Sequence, residues 1–122
     1  MIGWGTILYG AGLTLAFGGL VGRLAARDAP LVQVAGAALA AAVGAIAWNA
    51  ILRATHGQSF FVDAPIVVLP ASWQDTGSGV FALATTTLIA GLLAPREQSS
   101  RVLLRLALAA GLAAFLVDVY LY

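Results

Sequence analysis

The chain has 122 residues, of which 61% are hydrophobic and 9% are charged, and its formal net charge is +1. A soluble domain carries roughly a quarter charged residues to build its polar surface, and a nucleic-acid-binding domain needs a dense basic surface, so the composition argues against both classes. The sequence contains no cysteine, which excludes disulfides, thiolate metal sites and iron–sulfur clusters. The length allows a single membrane domain, residues 1–122.

Four apolar stretches are long enough to cross a bilayer. About 20 helical residues span a hydrocarbon core of roughly 30 Å. The stretches predict an all-α integral membrane protein: a four-transmembrane-helix bundle with an extracytoplasmic interfacial loop between the second and third helices. The predicted helices cover approximately residues 2–22, 29–53, 73–94 and 100–121.

Capping residues predict where the second and third helices begin. Asp28 is placed to cap the second helix, with Pro30 in its first turn, where a missing N–H costs nothing. Ser72 and Asp75 have the spacing of a capping box, in which each residue's side chain bonds the other's backbone N–H. The box predicts that the third helix begins near Trp73.

The placement of arginine predicts the orientation. All six basic residues are arginines. Five of them lie in or beside the first and third connections, whereas only Arg53 borders the second. Because basic residues collect on the cytoplasmic side of a membrane, both termini and the loop at residues 54–75 should be extracytoplasmic. We expect a multi-pass protein of the cell membrane.

Small residues on the first and fourth helices mark predicted helix contacts. Gly18 and Gly22 form a GxxxG pair beside Gly19, and Ala107 precedes Gly111 by four residues. In lipid, helices associate through close backbone approach, which small side chains allow. Two uses fit this pattern, packing within one bundle and contact with a partner chain.

The first helix has glycines on two sides. Gly3, Gly10 and Gly18 lie on one side, while Gly5, Gly12 and Gly19 lie about 160° away at about 3.6 residues per turn. One side can pack within the bundle, and the other is then available to a second chain. We therefore expect the protein to work as a homo-oligomer or within a larger membrane complex.

Polar residues at membrane depth are candidate binding positions. Asn49 lies about one turn inside the outer end of the second helix. Its carboxamide needs an interhelical partner or water. Thr85, Thr86 and Thr87 can instead return their hydroxyl hydrogen bonds to their own helix.

Arg53 and Asp118 are the charged candidates near the outer membrane surface. Arg53 follows Asn49 by one helical turn, and Asp118 lies near the outer end of the fourth helix. The predicted topology places both charges at one level. Opposite charges in a low-dielectric interface are stabilised by pairing, which predicts a salt bridge. The alternative is that each side chain reaches the headgroups separately.

The predicted outer loop is unusually apolar for a connection. Two apolar runs occur within residues 60–69, and each is too short to span a bilayer. We expect this segment to be ordered and to lie in the interface or fold back over the bundle. Long loops of such composition are typically functional, so His56, Asp63, Trp73 and Asp75 are further candidate binding residues.

Catalytic and metal-binding motifs are missing from the sequence. There is no G-x-S-x-G, no H-E-x-x-H and no phosphate-binding loop. His56, Asp63, Asp75 and Asp118 have no recognised metal-ligand spacing. We expect no catalytic residue, no metal and no cofactor, which leaves enzymatic activity open but unsupported.

Two functions remain. The first is a non-catalytic subunit or scaffold of a membrane complex, with the outer loop as its docking surface. The second is an oligomeric channel or transporter for a small ion or solute. A transporter normally needs an ionisable or strongly polar residue deep in the membrane, and only Asn49 and the threonines are placed there. The sequence therefore favours the subunit, with the lipid bilayer and other membrane chains, but not nucleic acid, as partners.

Overall fold

A computed structural model describes residues 3–93 and 100–121 of the chain. This part is all-helical, as predicted, and the helix ends lie within about one turn of the predicted ones. The four α-helices are α1 (Trp4–Ala25), α2 (Leu31–Ala54), α3 (Trp73–Leu93) and α4 (Ser100–Tyr120). A short 3-10 helix, Gln58–Phe61, lies in the connection between α2 and α3.

Three helices are long and apolar enough to cross a membrane. They are α1, α2 and α4. The helix that does not meet this criterion is α3, whose first turns carry Gln74, Asp75 and Ser78. The fold indicates a helical membrane protein, and the fourth span stays a prediction.

The helices form a bundle with an alanine core. Each helix packs against its neighbour in sequence, and α4 also packs against α1. Ala41, Ala82, Ala110 and Ala114, from α2, α3 and α4, form a central cluster with exposed fractions of 0–2%. Because an alanine side chain ends at Cβ, the helix backbones lie close together and leave little interior volume.

The GxxxG pair of α1 packs inside the bundle. Gly18 and Gly22 are buried. A Cβ atom added at Gly18 would lie 3.8 Å from Ala38, and one added at Gly22 would lie 3.4 Å from Val34. Gly19 is half-buried beside Ala38, so the prediction that it lies on the open side of α1 is wrong. The crossing of α1 over α2, which periodicity alone does not specify, brings Gly19 to this contact.

The opposite side of α1 is open. Gly5 and Gly12 are exposed, and within the described structure nothing lies within 4 Å of a Cβ atom added at either. Gly10 and Gly18 face inward. The predicted division of the α1 glycines into an inner and an outer side is confirmed for these four residues. It is wrong for Gly3, which was predicted beside Gly10 and Gly18 but is exposed at the N-cap of α1, before the first helical turn.

A second close contact joins α3 to α4. A Cβ atom added at Gly79 or at Gly111 would lie 3.1 Å from the carbonyl oxygen of the other. Ala107, one turn before Gly111, is also buried. The predicted packing residues of α4 therefore mark a contact within the chain.

The capping box at the start of α3 is confirmed. The Ser72 N–H donates to Asp75 Oδ2 at 2.7 Å, and the Asp75 N–H donates to Ser72 Oγ at 3.2 Å. The helix begins at Trp73, as the box predicts. Asp75 is buried in this role.

The prediction that Asp28 caps α2 is wrong. The helix begins at Leu31, its N-cap position is Pro30, and that cap makes no side-chain hydrogen bond. Asp28 therefore lies two residues before the cap and is exposed. In the connection between α1 and α2, the Arg23 guanidinium donates a hydrogen bond to the carbonyl of Ala29 at 2.9 Å.

The threonine triplet of α3 divides between two roles. Thr85 and Thr87 donate to carbonyls of their own helix four residues back, as predicted. Thr86 is fully buried and donates to the α2 carbonyl of Ala37 at 3.3 Å. Its hydroxyl thus joins α3 to α2, which the sequence did not predict.

Candidate functional site

Four buried polar side chains meet at the loop end of the bundle. They are Asn49 of α2, Gln74 and Ser78 of α3, and Asp118 of α4, with exposed fractions of 1%, 5%, 0% and 3%. These four residues are named the polar cluster below. All of them lie within roughly one and a half helical turns of a helix end.

Helix geometry brings these side chains together. Gln74 and Ser78 are four residues apart and share one face of α3. The Gln74 carboxamide bonds Asn49 of α2 and Asp118 of α4, which are 25 and 44 residues away in sequence. The polar cluster therefore joins three helices.

The Gln74 nitrogen lies at the centre of the polar cluster. It is 2.8 Å from Asp118 Oδ2, 3.1 Å from Asn49 Oδ1 and 3.3 Å from Ser78 Oγ. A carboxamide NH₂ group carries two hydrogens, so three acceptors compete for two donors. Three oxygens from three different side chains therefore surround the Gln74 nitrogen.

Two further hydrogen bonds fix the positions of the central groups. Asn49 Nδ2 donates to the Ala45 carbonyl at 2.9 Å, and Trp48 Nε1 donates to the Gln74 carbonyl at 2.9 Å. The predicted interhelical partner of Asn49 is confirmed for its oxygen, which accepts from Gln74. Its NH₂ group bonds its own helix, which the prediction had excluded.

The Trp48 indole anchors the loop to the bundle. Its ring lies 5.8 Å from Phe60, edge-on, and 5.1 Å from Phe81, centroid to centroid. The indole packs directly against Gly77, where an added Cβ atom would overlap the ring. The expectation that the 60–69 segment packs against the helix ends is confirmed at Phe60.

The rest of that segment forms an exposed apolar tip. The Ala64 N–H donates to the Ala71 carbonyl at 2.8 Å and closes the loop at its base. Val67 and Val68 at its tip are 97% and 78% exposed. The Tyr120 hydroxyl at the end of α4 donates to the Val68 carbonyl, which ties the tip to the bundle.

Arg53 makes a cation–π contact at the same end of the bundle. Its guanidinium carbon lies 5.1 Å from the centroid of the Trp4 ring, which joins α2 to α1. Asp118 accepts a hydrogen bond from Gln74. A direct salt bridge between Arg53 and Asp118 stays a prediction.

The structure separates the remaining loop candidates from the polar cluster. Asp63 and Trp73 line a cavity of about 330 Å³ between the loop and the exposed face of α3. His56 is exposed just beyond the end of α2, in the left-handed region with φ of 54°. Asp75 is held by the capping box. Among the described residues, no group of three or more histidine and carboxylate side chains could hold a metal ion.

Sequence analysis missed Gln74 and Ser78. Gln74 lies between the two capping-box residues, where the predicted loop and the predicted third helix overlap, and a single serine in a helix carries no signal. The available signal was their four-residue spacing, which places both on one face of α3 once that helix begins at Trp73.

No known protein family, curated protein or solved structure matches the chain. Function must therefore be inferred from the packing surfaces and from the chemistry of the polar cluster.

Proposed function

We propose that the protein is a non-catalytic subunit or scaffold of a membrane complex. The observation that supports this proposal is the open side of α1. Gly5, Gly12 and Ala16 are exposed and lie within about 40° of one another around the helix, at about 3.6 residues per turn. Small side chains in such a row form a shallow groove into which another helix can pack.

The lipid-facing surface of the bundle has a different composition elsewhere. Large aliphatic side chains are exposed on every helix, Leu8 and Leu24 of α1 among them, as lipid contact favours. They include Leu39, Val43, Leu88, Leu92, Leu104, Leu108 and Leu112. A row of small residues on α1 is therefore better suited to a second helix than to acyl chains.

The proposal includes a fourth span formed by α3. This helix has 21 residues, or roughly 30 Å at about 1.5 Å per residue, and it packs along α2 and α4. Its polar side chains Gln74, Asp75 and Ser78 are buried within the protein. Its exposed residues further along the helix are mostly apolar and include Val80, Leu83, Leu88 and Leu92. With four spans, the arginine bias supports an orientation in which the loop end lies on the extracytoplasmic side of the cell membrane.

A channel or transporter for a small ion or solute is the second candidate function. One observation favours it: Asp118, two residues before the end of the candidate span α4, is buried, and buried ionisable groups on membrane helices typically mark ion or substrate sites. The alanine cluster closes the centre of the bundle. Transport would therefore require a path between copies or a movement of α3.

Cysteine cross-linking tests the proposed subunit role. The chain has no native cysteine, so Gly12→Cys creates a single reactive site on the open side of α1. Leu88→Cys is the matched control, because Leu88 is 63% exposed in the apolar second half of α3. In native membranes, Gly12→Cys should cross-link rapidly to a defined species, either a second copy or another membrane chain. Equally slow cross-linking of both variants would contradict the proposal.

A further inference from the structure

We propose that a cleft between the second half of α3 and the start of α4 binds one anionic phospholipid, with its phosphate at Arg101 and an acyl chain along the cleft. The cleft has a volume of about 370 Å³, and the residues that line it, named the α3–α4 cleft below, are Thr87, Ser100, Arg101, Leu103, Leu104 and Ala107. The inference goes beyond the subunit role. It rests on α4, a candidate span, and on the packing of α3 along it.

The polar and apolar walls of the α3–α4 cleft lie at different depths. Ser100 and Arg101 are the first two residues of α4, and the end of a span lies at the headgroup level of a membrane. Ala107 lies roughly 9 Å further along the helix axis than Arg101, at about 1.5 Å per residue. The α4 walls at that depth are apolar, formed by Leu103, Leu104 and Ala107. A phospholipid has the same order, a charged headgroup above apolar chains.

The α3 wall does not require a polar ligand. The Thr87 hydroxyl donates to the carbonyl of Leu83 in its own helix at 2.7 Å. Its hydrogen is therefore already bonded, and below Arg101 the cleft is suited to a hydrocarbon chain. A free phosphate ion would contact the mouth of the cleft and leave the apolar part unused.

The surface around the cleft is suited to lipid and not to a second helix. Ala107 in the cleft is 3% exposed, whereas Leu104 beside it is 58% exposed. Leu88, next to Thr87 in sequence, is 63% exposed. Large exposed aliphatic side chains mark lipid-facing surfaces, whereas rows of small residues mark helix contacts. The volume of the cleft also falls within the range of roughly 300–1,000 Å³ that is usual for small-molecule sites.

The charges at this end of the bundle favour an anionic headgroup. Among the described residues, the ends of α1 and α4 and the connection after α1 carry four arginines and one carboxylate: Arg23, Arg27, Arg101, Arg105 and Asp28. Arg105 follows Arg101 by one helical turn, so both exposed guanidinium groups lie on one side of α4. Basic side chains next to clefts between membrane helices attract anionic headgroups, and each one near the membrane surface strengthens binding about fivefold.

Native mass spectrometry from an uncharged detergent counts the lipids that each chain retains. Phosphatidylglycerol, which has a net negative charge, is compared with zwitterionic phosphatidylcholine that has identical acyl chains. Glycerol phosphate, which has the phosphate but no acyl chain, is the third ligand. We expect a single phosphatidylglycerol per chain, bound about fivefold or more tightly than phosphatidylcholine. Glycerol phosphate should not displace it at equal concentration.

Two substitutions test the two parts of the cleft. Arg101→Gln removes the charge at the mouth and should weaken phosphatidylglycerol binding about fivefold. Arg27→Gln, at an exposed arginine of the connection between α1 and α2, is its matched control and should have little effect. Thr87→Phe fills the apolar part and should weaken the binding of both lipids. Leu88→Phe, at the next residue of α3, is the control for added volume.

Four results would overturn the proposal. Equal affinity for the two lipids would exclude headgroup selection, and equal losses in Arg101→Gln and Arg27→Gln would indicate attraction to the whole basic end. Unchanged binding in Thr87→Phe would show that no chain enters the cleft. Displacement of the lipid by glycerol phosphate would indicate a site for phosphate alone.

Thermal unfolding without lipid shows whether each variant is folded, and Thr87→Met replaces Thr87→Phe if the larger side chain prevents cooperative unfolding. Unfolding with phosphatidylglycerol gives a second measurement of binding, because a bound ligand raises the midpoint. Cross-linking of Gly12→Cys takes place on α1 and does not depend on the α3–α4 cleft. Failure of lipid binding and failure of the subunit role are therefore distinguishable.

Discussion

Gly79 and Gly111 face each other where α3 crosses α4, so closely that a methyl group on either would lie 3.1 Å from the other's carbonyl oxygen. A larger side chain at this crossing must push the helices apart, because the nearest atoms are a backbone carbonyl oxygen and a Cβ atom, neither of which can rotate away. Two membrane helices gain their association energy from this kind of close approach. The α3–α4 contact is therefore sensitive to the volume of the side chains at positions 79 and 111.

Gly79→Leu should destabilise the fold by about 1–3 kcal/mol, the usual cost of overpacking a close contact. Gly91→Leu, on the same helix, is the control, since within the described structure nothing lies within 4 Å of a Cβ added there. Thermal unfolding followed by circular dichroism in detergent measures the difference. Equal midpoints for the two variants would contradict the close crossing.

Gln74→Leu should cost about 2–3 kcal/mol, because it leaves Asp118 Oδ2 without its hydrogen bond from Gln74 in a buried site. In Asn49→Leu, the loss of the Asn49 acceptor should lower the free energy of unfolding by less than about 1 kcal/mol. The Gln74 NH₂ group keeps two other acceptors for its two hydrogens. Denaturation in mixed detergent micelles would compare the two variants. A larger cost for Asn49→Leu than for Gln74→Leu would show that the carboxamide nitrogen is not the centre of the cluster.

Arg53 and Asp118 are expected to be energetically coupled at the loop end. A double-mutant cycle with Arg53→Met and Asp118→Asn should give a coupling free energy of about 1–3 kcal/mol, less than for a fully buried pair. The cycle is read from the unfolding free energies of the two single variants and the double variant. Additive costs would show that the two charges act separately.

The topology prediction can be tested with single cysteines at Ser59 and Ser99. Ser59 is exposed on the loop, and Ser99 lies outside the described residues. If α3 crosses the membrane, a membrane-impermeant maleimide should label position 59 on intact cells and position 99 only after permeabilisation. Labelling of both positions on intact cells would place α3 on the outer surface and leave three spans.

Local patterns predicted most of the fold. Long apolar stretches predicted the four helices, the Ser72–Asp75 spacing predicted the start of α3, and helical periodicity separated Gly10 from Gly12. The polar cluster was only half predicted, since Asn49 and Asp118 were candidates while Gln74 and Ser78 were not. Its central nitrogen bonds residues 25 and 44 positions away, and such pairings depend on how the helices cross. The contact of Gly19 with Ala38 was missed for the same reason.

The open side of α1 gives the last prediction, which concerns assembly. Gly12→Leu should weaken oligomerisation, because a leucine would fill the groove formed with Gly5 and Ala16. Leu20→Ala, one helical turn beyond Ala16 on α1, should weaken it less, because it removes side-chain volume beside the groove instead of filling it. Gly19→Leu is a poorer test, since a leucine there would disturb the contact with Ala38 inside the same chain.

Native mass spectrometry from lipid nanodiscs would give the oligomeric state of each variant. The wild-type chain should appear as an oligomer or with another membrane subunit, and Gly12→Leu should shift the distribution toward the monomer. Thermal unfolding of the same samples separates lost assembly from lost folding, because within the described bundle nothing lies within 4 Å of a Cβ atom added at Gly12. A wild-type chain that is monomeric at every concentration would contradict the prediction that the α1 groove binds a second helix. Its small residues would then face lipid alone.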